Sequence, residues 1–242
     1  MSILRVATIE PEGATTTLTL GASGDTVTSS ADSIKGNTFK DAGGNTLWTS
    51  DGAGTLSSVS SGISSKGPQL ILSQTASNSS SVDFTTGIDS TYKIYMFLFT
   101  DIRPVYNGAR LRIQFNASGQ TGFNENITST FFDAENSEPA GDATLGYKTG
   151  NDQAGGTSPQ DVTREIGGDD QECAAGMLYL YEPSSTVQVK NFWARINSHY
   201  HADYKMDNFA AGFVNVTSAI TEVQFTVETG NFAGKITLYG IT

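Results

Sequence analysis

Basic residues are scarce in this chain. It has 14 Lys and Arg against 25 Asp and Glu, charged residues make up 16% of it, and the formal net charge is −11. Nucleic-acid binding depends on clustered Lys and Arg side chains that neutralise phosphates. The sequence has no such cluster, so we exclude a nucleic-acid partner and expect a surface built mainly from Ser, Thr, Asn, Gln and Gly.

Cysteine is nearly absent as well. Cys173 is the single one, which excludes an internal disulfide framework, and no His stands near it in the sequence to predict a reactive thiolate. Long apolar runs are also missing. None approaches the ~18 residues that a membrane-spanning helix needs, so we predict no membrane insertion.

The common catalytic motifs do not occur. The sequence contains no G-x-S-x-G elbow, H-E-x-x-H pair, phosphate-binding Gly-Lys-Ser/Thr loop or Rossmann fingerprint. We therefore predict that the chain is not an enzyme and uses no cofactor. The enzymatic alternative is a pair of carboxylates that cleaves glycosides, and such a pair could be chosen by chance from 25 acidic residues.

The chain does contain a series of apolar stretches with a period of two. Residues 110–116 and 222–228 alternate apolar and polar side chains, and turn residues separate such stretches. Residues 92–100 (YKIYMFLFT) are almost continuously apolar, so we expect a central strand that is buried on both faces. The pattern predicts an all-β protein with a jelly-roll-like β-sandwich over residues 67–242.

Residues 1–66 have a different texture. After a short apolar start, which we interpret as a docking strand, single apolar residues interrupt a Gly/Ser/Thr/Asn-rich stretch and are too few to close a core of their own. This predicts a polar, β-rich arm or shaft segment that orders against other chains. A flexible linker is the alternative. The expected oligomer interface consists of Leu18, Leu20, Val27, Phe39 and Trp48.

A long polar stretch, residues 133–175, interrupts the strand pattern of the larger domain. We interpret it as an excursion from the sandwich. An insertion of this length is usually functional or an oligomer contact, and the sequence leaves both interpretations open.

Two groups of residues are candidate metal ligands. In an extended strand, His199, His201 and Asp203 would lie on one face, where they could bind a first-row metal. Asp169, Asp170 and Glu172 follow a Gly pair and could bind Ca²⁺, although the spacing does not match an EF-hand. The alternative for both groups is a solvated polar loop.

Three aromatic residues are candidate ligand-binding residues. Tyr200 and Tyr204 stand among polar residues, and aromatic faces beside Asn and Asp are typical of sugar binding. Trp193 stands in a strong strand pattern, so the alternative for it is a place in the core or in a subunit interface.

Several segments together resemble proteins from genomes of tailed phages, especially marine ones, that are assigned as tail-fibre or other virion structural proteins. The segments are GDTVTSSADSIKGNTF, ILSQTASNSSSVDFTTGIDSTYKIYMFLFTDIRP, FNENITSTFF, YLYEPSS and GKITLYGI. The resemblance implies a virion component that forms homo-oligomers, trimers if it is fibre-like, and that contacts other virion proteins. It carries no catalytic or binding residues over to this chain.

Two alternatives remain open beside a tail fibre. One is a capsid decoration protein, which belongs to the same structural class. The other is a lectin-like module that binds a host surface glycan.

Overall fold

The computed structural model describes residues 38–41, 43–50, 52–53, 56–57, 59–60, 67–138, 141–200 and 203–241. Their regular structure consists of β-strands, without a helix among the described residues, and this confirms the all-β prediction. Accordingly, this part of the chain supplies no helix of the length and apolarity that a membrane crossing requires. The chain divides into two compact units, Met1–Ser64 and Ser65–Thr242.

The described part of the first unit is a small antiparallel sheet. Phe39 and Trp48 lie opposite each other in neighbouring strands, and their rings stack with centroids 4.2 Å apart. These two predicted interface residues therefore pack against each other within one chain. The other three lie outside the described residues: Leu18, Leu20 and Val27. The strands are β1 (Thr38–Lys40), β2 (Thr46–Ser50) and β3 (Leu56–Ser57).

The second unit contains two antiparallel sheets. Its described strands are β4 (Gln69–Ser79), β5 (Ser81–Phe84), β6 (Ile94–Pro104), β7 (Leu111–Ala117), β8 (Ile127–Ser137), β9 (Ala143–Tyr147), β10 (Ala154–Gly156), β11 (Gln160–Asp161), β12 (Ala174–Tyr181), β13 (Lys190–Tyr200), β14 (Tyr204–Val214), β15 (Ile220–Val227) and β16 (Phe232–Ile241). The large sheet has the order β10-β8-β14-β13-β12-β6-β16-β4, and β9 pairs with β8. The small sheet has the order β11-β7-β15-β5.

The two sheets pack face to face as a β-sandwich. Phe225, in the middle of the small sheet, makes edge-to-face contacts with Phe97 and Phe99 of the large sheet at centroid distances of 5.1 and 5.2 Å. Its own sheet contributes Phe84 at 6.1 Å. All four rings are buried. Aromatic burial in this geometry makes a large contribution to holding the sheets together.

The prediction that residues 92–100 are buried on both faces is wrong for the single chain. Strand β6 begins at Ile94 and alternates as far as Phe99: Tyr95, Phe97 and Phe99 are buried in the core, while Ile94, Met96 and Leu98 are only half-buried on the other face. The physical reason is that the small sheet packs against one face of β6.

The interpretation of residues 133–175 as an excursion is also wrong. The stretch holds the end of β8, all of β9, β10 and β11, and the first residues of β12. The alternation of apolar and polar residues is not visible in this stretch, which is rich in Gly, Thr and charged residues. Ion-paired side chains replace apolar ones at several inward positions. Val187 lies in the loop before β13 and is 80% exposed.

Lys190, the first residue of β13, is enclosed by protein. Its ammonium group donates hydrogen bonds to the carbonyl oxygens of Gln188, Val216 and Thr217 at 2.9, 3.1 and 2.8 Å. Burial lowers the pKa of this group. A single side chain thereby joins the loop before β13 to the loop after β14 and satisfies three carbonyl groups.

A chain of ion pairs links the small sheet to β8 of the large sheet. In the small sheet, Arg112 Nε lies 2.6 Å from the carboxylate of Asp161. At the other end, Arg164 Nη1 lies 3.1 Å from Asp133 and 2.8 Å from Glu135, both on β8. Arg110 and Glu165 connect these two ends by further ion pairs. Glu228 adds ion pairs at the small-sheet end, and Lys148 adds them at the β8 end.

We predict that Glu135→Gln makes the fold less sensitive to acid. Burial raises the pKa of Glu135, but the hydrogen bond from Thr144 and the charges of Lys148 and Arg164 outweigh it, so the pKa lies below its usual value. A carboxyl group of this kind stabilises the fold above its ordinary pKa. The contribution is lost as the pH falls through the lowered value of the folded state.

Urea unfolding measures this effect. Between about pH 6 and about pH 3, the free energy of unfolding should fall less in Glu135→Gln than in the wild type. Glu138→Gln is the matched control, because Glu138 is exposed. The assignment is contradicted if both variants keep the wild-type dependence on pH.

Candidate functional site: the outer face of the large sheet

The outer face of the large sheet, the one turned away from the small sheet, carries two neighbouring rows of largely apolar side chains. Residues opposite each other in antiparallel strands project to the same side of a sheet. The register therefore aligns a first row of side chains across β8, β14, β13, β12, β6 and β16: Phe132, Phe209, Arg195, Met177, Leu98 and Thr237.

A second row runs beside the first. Across β14, β13, β12, β6, β16 and β4 it consists of Ala211, Trp193, Tyr179, Met96, Tyr239 and Leu70. Leu70 is 64% exposed at the end of this row, and Phe132 is 40% exposed at the end of the first row. The aromatic and methionine side chains between them are half-buried, because they pack on one another and keep part of their surface accessible.

The rings on this face turn their flat sides towards each other. Phe132 and Phe209 stack with centroids 4.7 Å apart and planes 5° apart. Arg195 covers the ring of Phe209 at 5.1 Å, and Tyr179 stacks on Trp193 at 4.9 Å. These separations match the spacing of about 4.8 Å between strands, so the rings stand upright on the sheet. The face thus presents ring edges to the outside.

Charge is almost absent from the two rows. Arg195 is their one charged residue, and it pairs with Asp207 of the neighbouring strand at 2.7 Å. The outer side of the small sheet is different, since its register aligns polar and charged residues there: Asp83, Arg112, Gln114, Asn116, Glu222, Gln224 and Thr226. The two outer surfaces of the sandwich therefore differ sharply in polarity.

Trp193, predicted as a ligand-binding residue, belongs to the second row. Its indole N–H donates to the hydroxyl oxygen of Tyr181 at 2.7 Å, and Tyr179 covers one side of its ring. The alternative of a core position is wrong, because Trp193 projects from the outer face. The other alternative, a subunit interface, stays open.

Tyr200 and Tyr204 lie elsewhere, at the hairpin between β13 and β14. They stand opposite each other, with ring centroids 6.3 Å apart and planes tilted by 57°. His199 and Asp203 of this hairpin line a cavity of about 270 Å³. The structure thus keeps two of the predicted aromatic residues together and separates them from Trp193.

The same cavity brings together the two groups of predicted metal ligands. Asp169 and Asp170 line it, as do His199 and Asp203, while His201 lies outside the described residues. The expected extended strand through these His and Asp residues is wrong. The chain reverses between β13 and β14, and Asp203 has a φ of 59°, which suits a turn.

Within the described part of the chain, no three His, Cys, Asp or Glu side chains are grouped so as to hold one metal ion. In the cavity at the hairpin, the buried Glu172 carboxylate accepts a hydrogen bond from the backbone N–H of Asp169 at 3.0 Å. This carboxylate therefore orders the local loop.

A second polar cavity, of about 360 Å³, lies beside the ion-pair chain. Arg112 and Asp161 line it together with Asn151, whose amide donates to Asp161 at 2.8 Å. The polar side chains named here bind each other, so their hydrogen bonds serve the fold. The sequence gives no signal for this cavity, because its residues come from β7, β11 and the connections before and after β10.

The sequence did contain a signal for the outer face. Residues 94–98 and 177–181 are apolar at nearly every position, whereas a strand that is solvated on one side alternates. Our expectation for residues 92–100 used that signal and predicted burial on both faces without naming what covers the second one.

No protein-family model, no curated protein and no solved structure matches this chain. Arguments about its function therefore rest on the sequence and on the geometry described above.

Native cysteine labelling separates the two faces of the large sheet. In a Cys173→Ser background, we expect Met177→Cys to react with a thiol reagent at least about 100-fold faster than Leu178→Cys, because a buried position reacts only after local opening. Met177 and Leu178 are neighbours on β12, half-buried and fully buried respectively. Equal rates in dilute protein would show that the outer face is not accessible.

Proposed function

We propose that this chain is a non-enzymatic structural protein of a tailed-phage virion and forms homo-oligomers in a surface appendage such as a tail fibre. The observation that carries the proposal is the apolar outer face of the large sheet. Large apolar patches on a soluble protein mark interaction sites. This face suits a building block of an assembly, and the resemblance to phage virion proteins supports the same interpretation.

The amino-acid composition of the chain also fits the role of a virion structural protein. A surface with few charges and an acidic balance limits nonspecific association, since like-charged particles repel. The first unit, residues 1–66 in our interpretation, would dock on neighbouring virion proteins through its sparse apolar residues. A trimer is the expected oligomer if the appendage is fibre-like. Jelly-roll connectivity of the sandwich belongs to the same proposal.

Immunogold electron microscopy of purified virions tests the proposal. The virions come from a phage whose genome encodes the chain, and the antibody is raised against residues 67–242. Label on the tail supports an appendage, whereas label spread in many copies over the head supports the decoration alternative. Virions without label, from lysates in which the antibody detects the free protein, would exclude both roles.

A lectin-like module that binds a host glycan is the second candidate, and the hairpin of β13 and β14 favours it. Tyr200 and Tyr204 there contact each other and are the sequence neighbours of His199 and Asp203, which line the polar cavity together with Asp169. Aromatic rings and hydrogen-bonding groups in one place are the usual components of a sugar site. The upright, mutually stacked rings of the outer face are less suited, because a sugar stacks on an open ring face.

Glycan binding predicts a clear response to substitution at the hairpin. Tyr200→Ala and Tyr204→Ala should each weaken binding on a glycan array at least about tenfold, because each removes part of an aromatic contact surface. Tyr106→Ala is the control, as Tyr106 is 58% exposed in the loop between β6 and β7. If both hairpin variants bind and adsorb to host cells like the wild type, sugar recognition at the hairpin is wrong.

A further inference from the structure

We propose that two copies of this chain pair through the outer faces of their large sheets, with the first and second rows at the centre of the contact. This inference rests on the proposed function, because it names the partner and the surface for an assembly protein. A different protein and a lipid surface are the alternative occupants of the face, and the experiment below distinguishes these outcomes.

The first argument comes from the strands themselves. In β6, the buried Phe97 and the half-buried Met96 and Leu98 are equally apolar. The same holds in β12 for the buried Leu178 and the half-buried Tyr179. Strands that read as apolar on both sides are typical of sheets with both faces covered. The small sheet covers the inner face of the large sheet. The apolar composition of β6 and β12 therefore indicates that another protein surface covers the outer face.

The second argument is the size of the face. From β8 to β4 the two rows cross seven strands, which is about 29 Å at a spacing of about 4.8 Å. A stable interface buries roughly 800 Å² on each partner, whereas the largest apolar patch of a typical monomer is roughly 300–600 Å². Five aromatic side chains at about a quarter of their full area of roughly 150–250 Å² already provide roughly 200–300 Å². The five are Phe132, Trp193, Tyr179, Phe209 and Tyr239.

Four more apolar side chains increase this area. They are Leu70, Met96, Leu98 and Met177, and all keep accessible surface. Leu145 and Tyr147 of β9 extend the apolar surface beyond Phe132 and are 73% and 52% exposed. Together these side chains bring the apolar surface of the face close to the area that a stable pair of proteins buries.

Charge favours a second copy as the occupant. The chain carries a net charge of −11, so two copies repel each other over most of their surfaces. The two rows hold one charged residue, Arg195, and Asp207 neutralises it. Here two copies can approach without opposing unpaired charges. A basic partner would instead be attracted to the acidic surfaces elsewhere, and an anionic membrane would repel the chain.

A pair formed in this way is two-fold symmetric. A face that meets its own copy makes an isologous contact, in which each residue of one copy meets the equivalent set on the other. Stacked sheets of this kind lie about 10 Å apart and are rotated by about 30°. The two outer faces would then meet in the middle of a stack of four sheets, two from each copy.

Sedimentation velocity of the full chain, from roughly 1 µM to roughly 100 µM, tests the proposal. The wild type should shift from monomer to dimer over this range. Leu98→Lys, in the middle of the first row, and Leu70→Lys, at the end of the second, should each raise the dimer dissociation constant at least about tenfold, because an unpaired charge would be buried. Thermal unfolding of each variant checks that the fold is intact.

Val187→Lys is the matched control. It makes the same change in charge at a residue that is 80% exposed in the loop before β13. It should dimerise like the wild type. Leu70 is itself largely exposed, so its replacement by Lys should not disturb the fold even if Leu98→Lys does.

Fluorescence gives an independent measurement. The chain has two tryptophans, so Trp48→Phe leaves Trp193 of the second row as the single reporter. Quenching of Trp193 by iodide should decrease as the protein concentration rises through the dimerisation range. It should remain unchanged in Leu98→Lys.

Different results would overturn different claims. A monomeric wild type at the highest concentration, or dimers that persist in both face variants, would overturn the pairing. A trimer that is insensitive to both substitutions would also overturn it while leaving the proposed virion role intact. Binding of the wild type to neutral lipid vesicles in place of dimerisation would assign the face to a membrane surface. Absence of label on virions would count against the virion role, whatever the oligomeric state.

Discussion

The second unit depends on a mismatch between its two sheets. The large sheet is apolar on its inner face and along two rows of its outer face, and the small sheet is apolar only where it meets the large one. Burial of apolar surface is the main favourable term in folding. The inner faces of the two sheets bury their apolar side chains against each other, as the aromatic contacts of Phe225 with Phe97 and Phe99 show. The outer face of the large sheet keeps its apolar side chains in contact with solvent. Its rows of Trp193 and Met177 are therefore the feature that a functional proposal has to explain.

Polar interactions position the small sheet. The ion-pair chain from Arg112 through Asp161 to Arg164 and Asp133 crosses from the small sheet to β8. Such pairs contribute less to stability than burial does, because each charge loses part of its hydration. Their geometry nevertheless fixes how the sheets meet at this side, and the enclosed Lys190 ammonium anchors two loops.

The sequence predicted most accurately where the period of two was undisturbed. Residues 110–116 gave the inward positions of Leu111, Ile113 and Phe115, which are all buried on β7. Residues 133–175 were misread because charged residues such as Asp133 and Asp161 occupy buried positions there. An inward-facing carboxylate looks like a surface residue until its Arg partner is known, and those partners are distant in sequence. The hairpin at Asp203 was missed for a related reason, since a turn of this kind lacks the usual Gly signal.

The sequence by itself determined the all-β class, the inward and outward positions of regularly alternating strands, and the surplus of apolar residues in residues 92–100. These properties are local, because side-chain direction in a strand changes with every residue. Only the tertiary structure decided which apolar side chains share a face and which of those faces is covered. It also brought Asp169 and His199 to one cavity. Such neighbours are set by strand order and register between distant segments, and no short stretch of sequence encodes them.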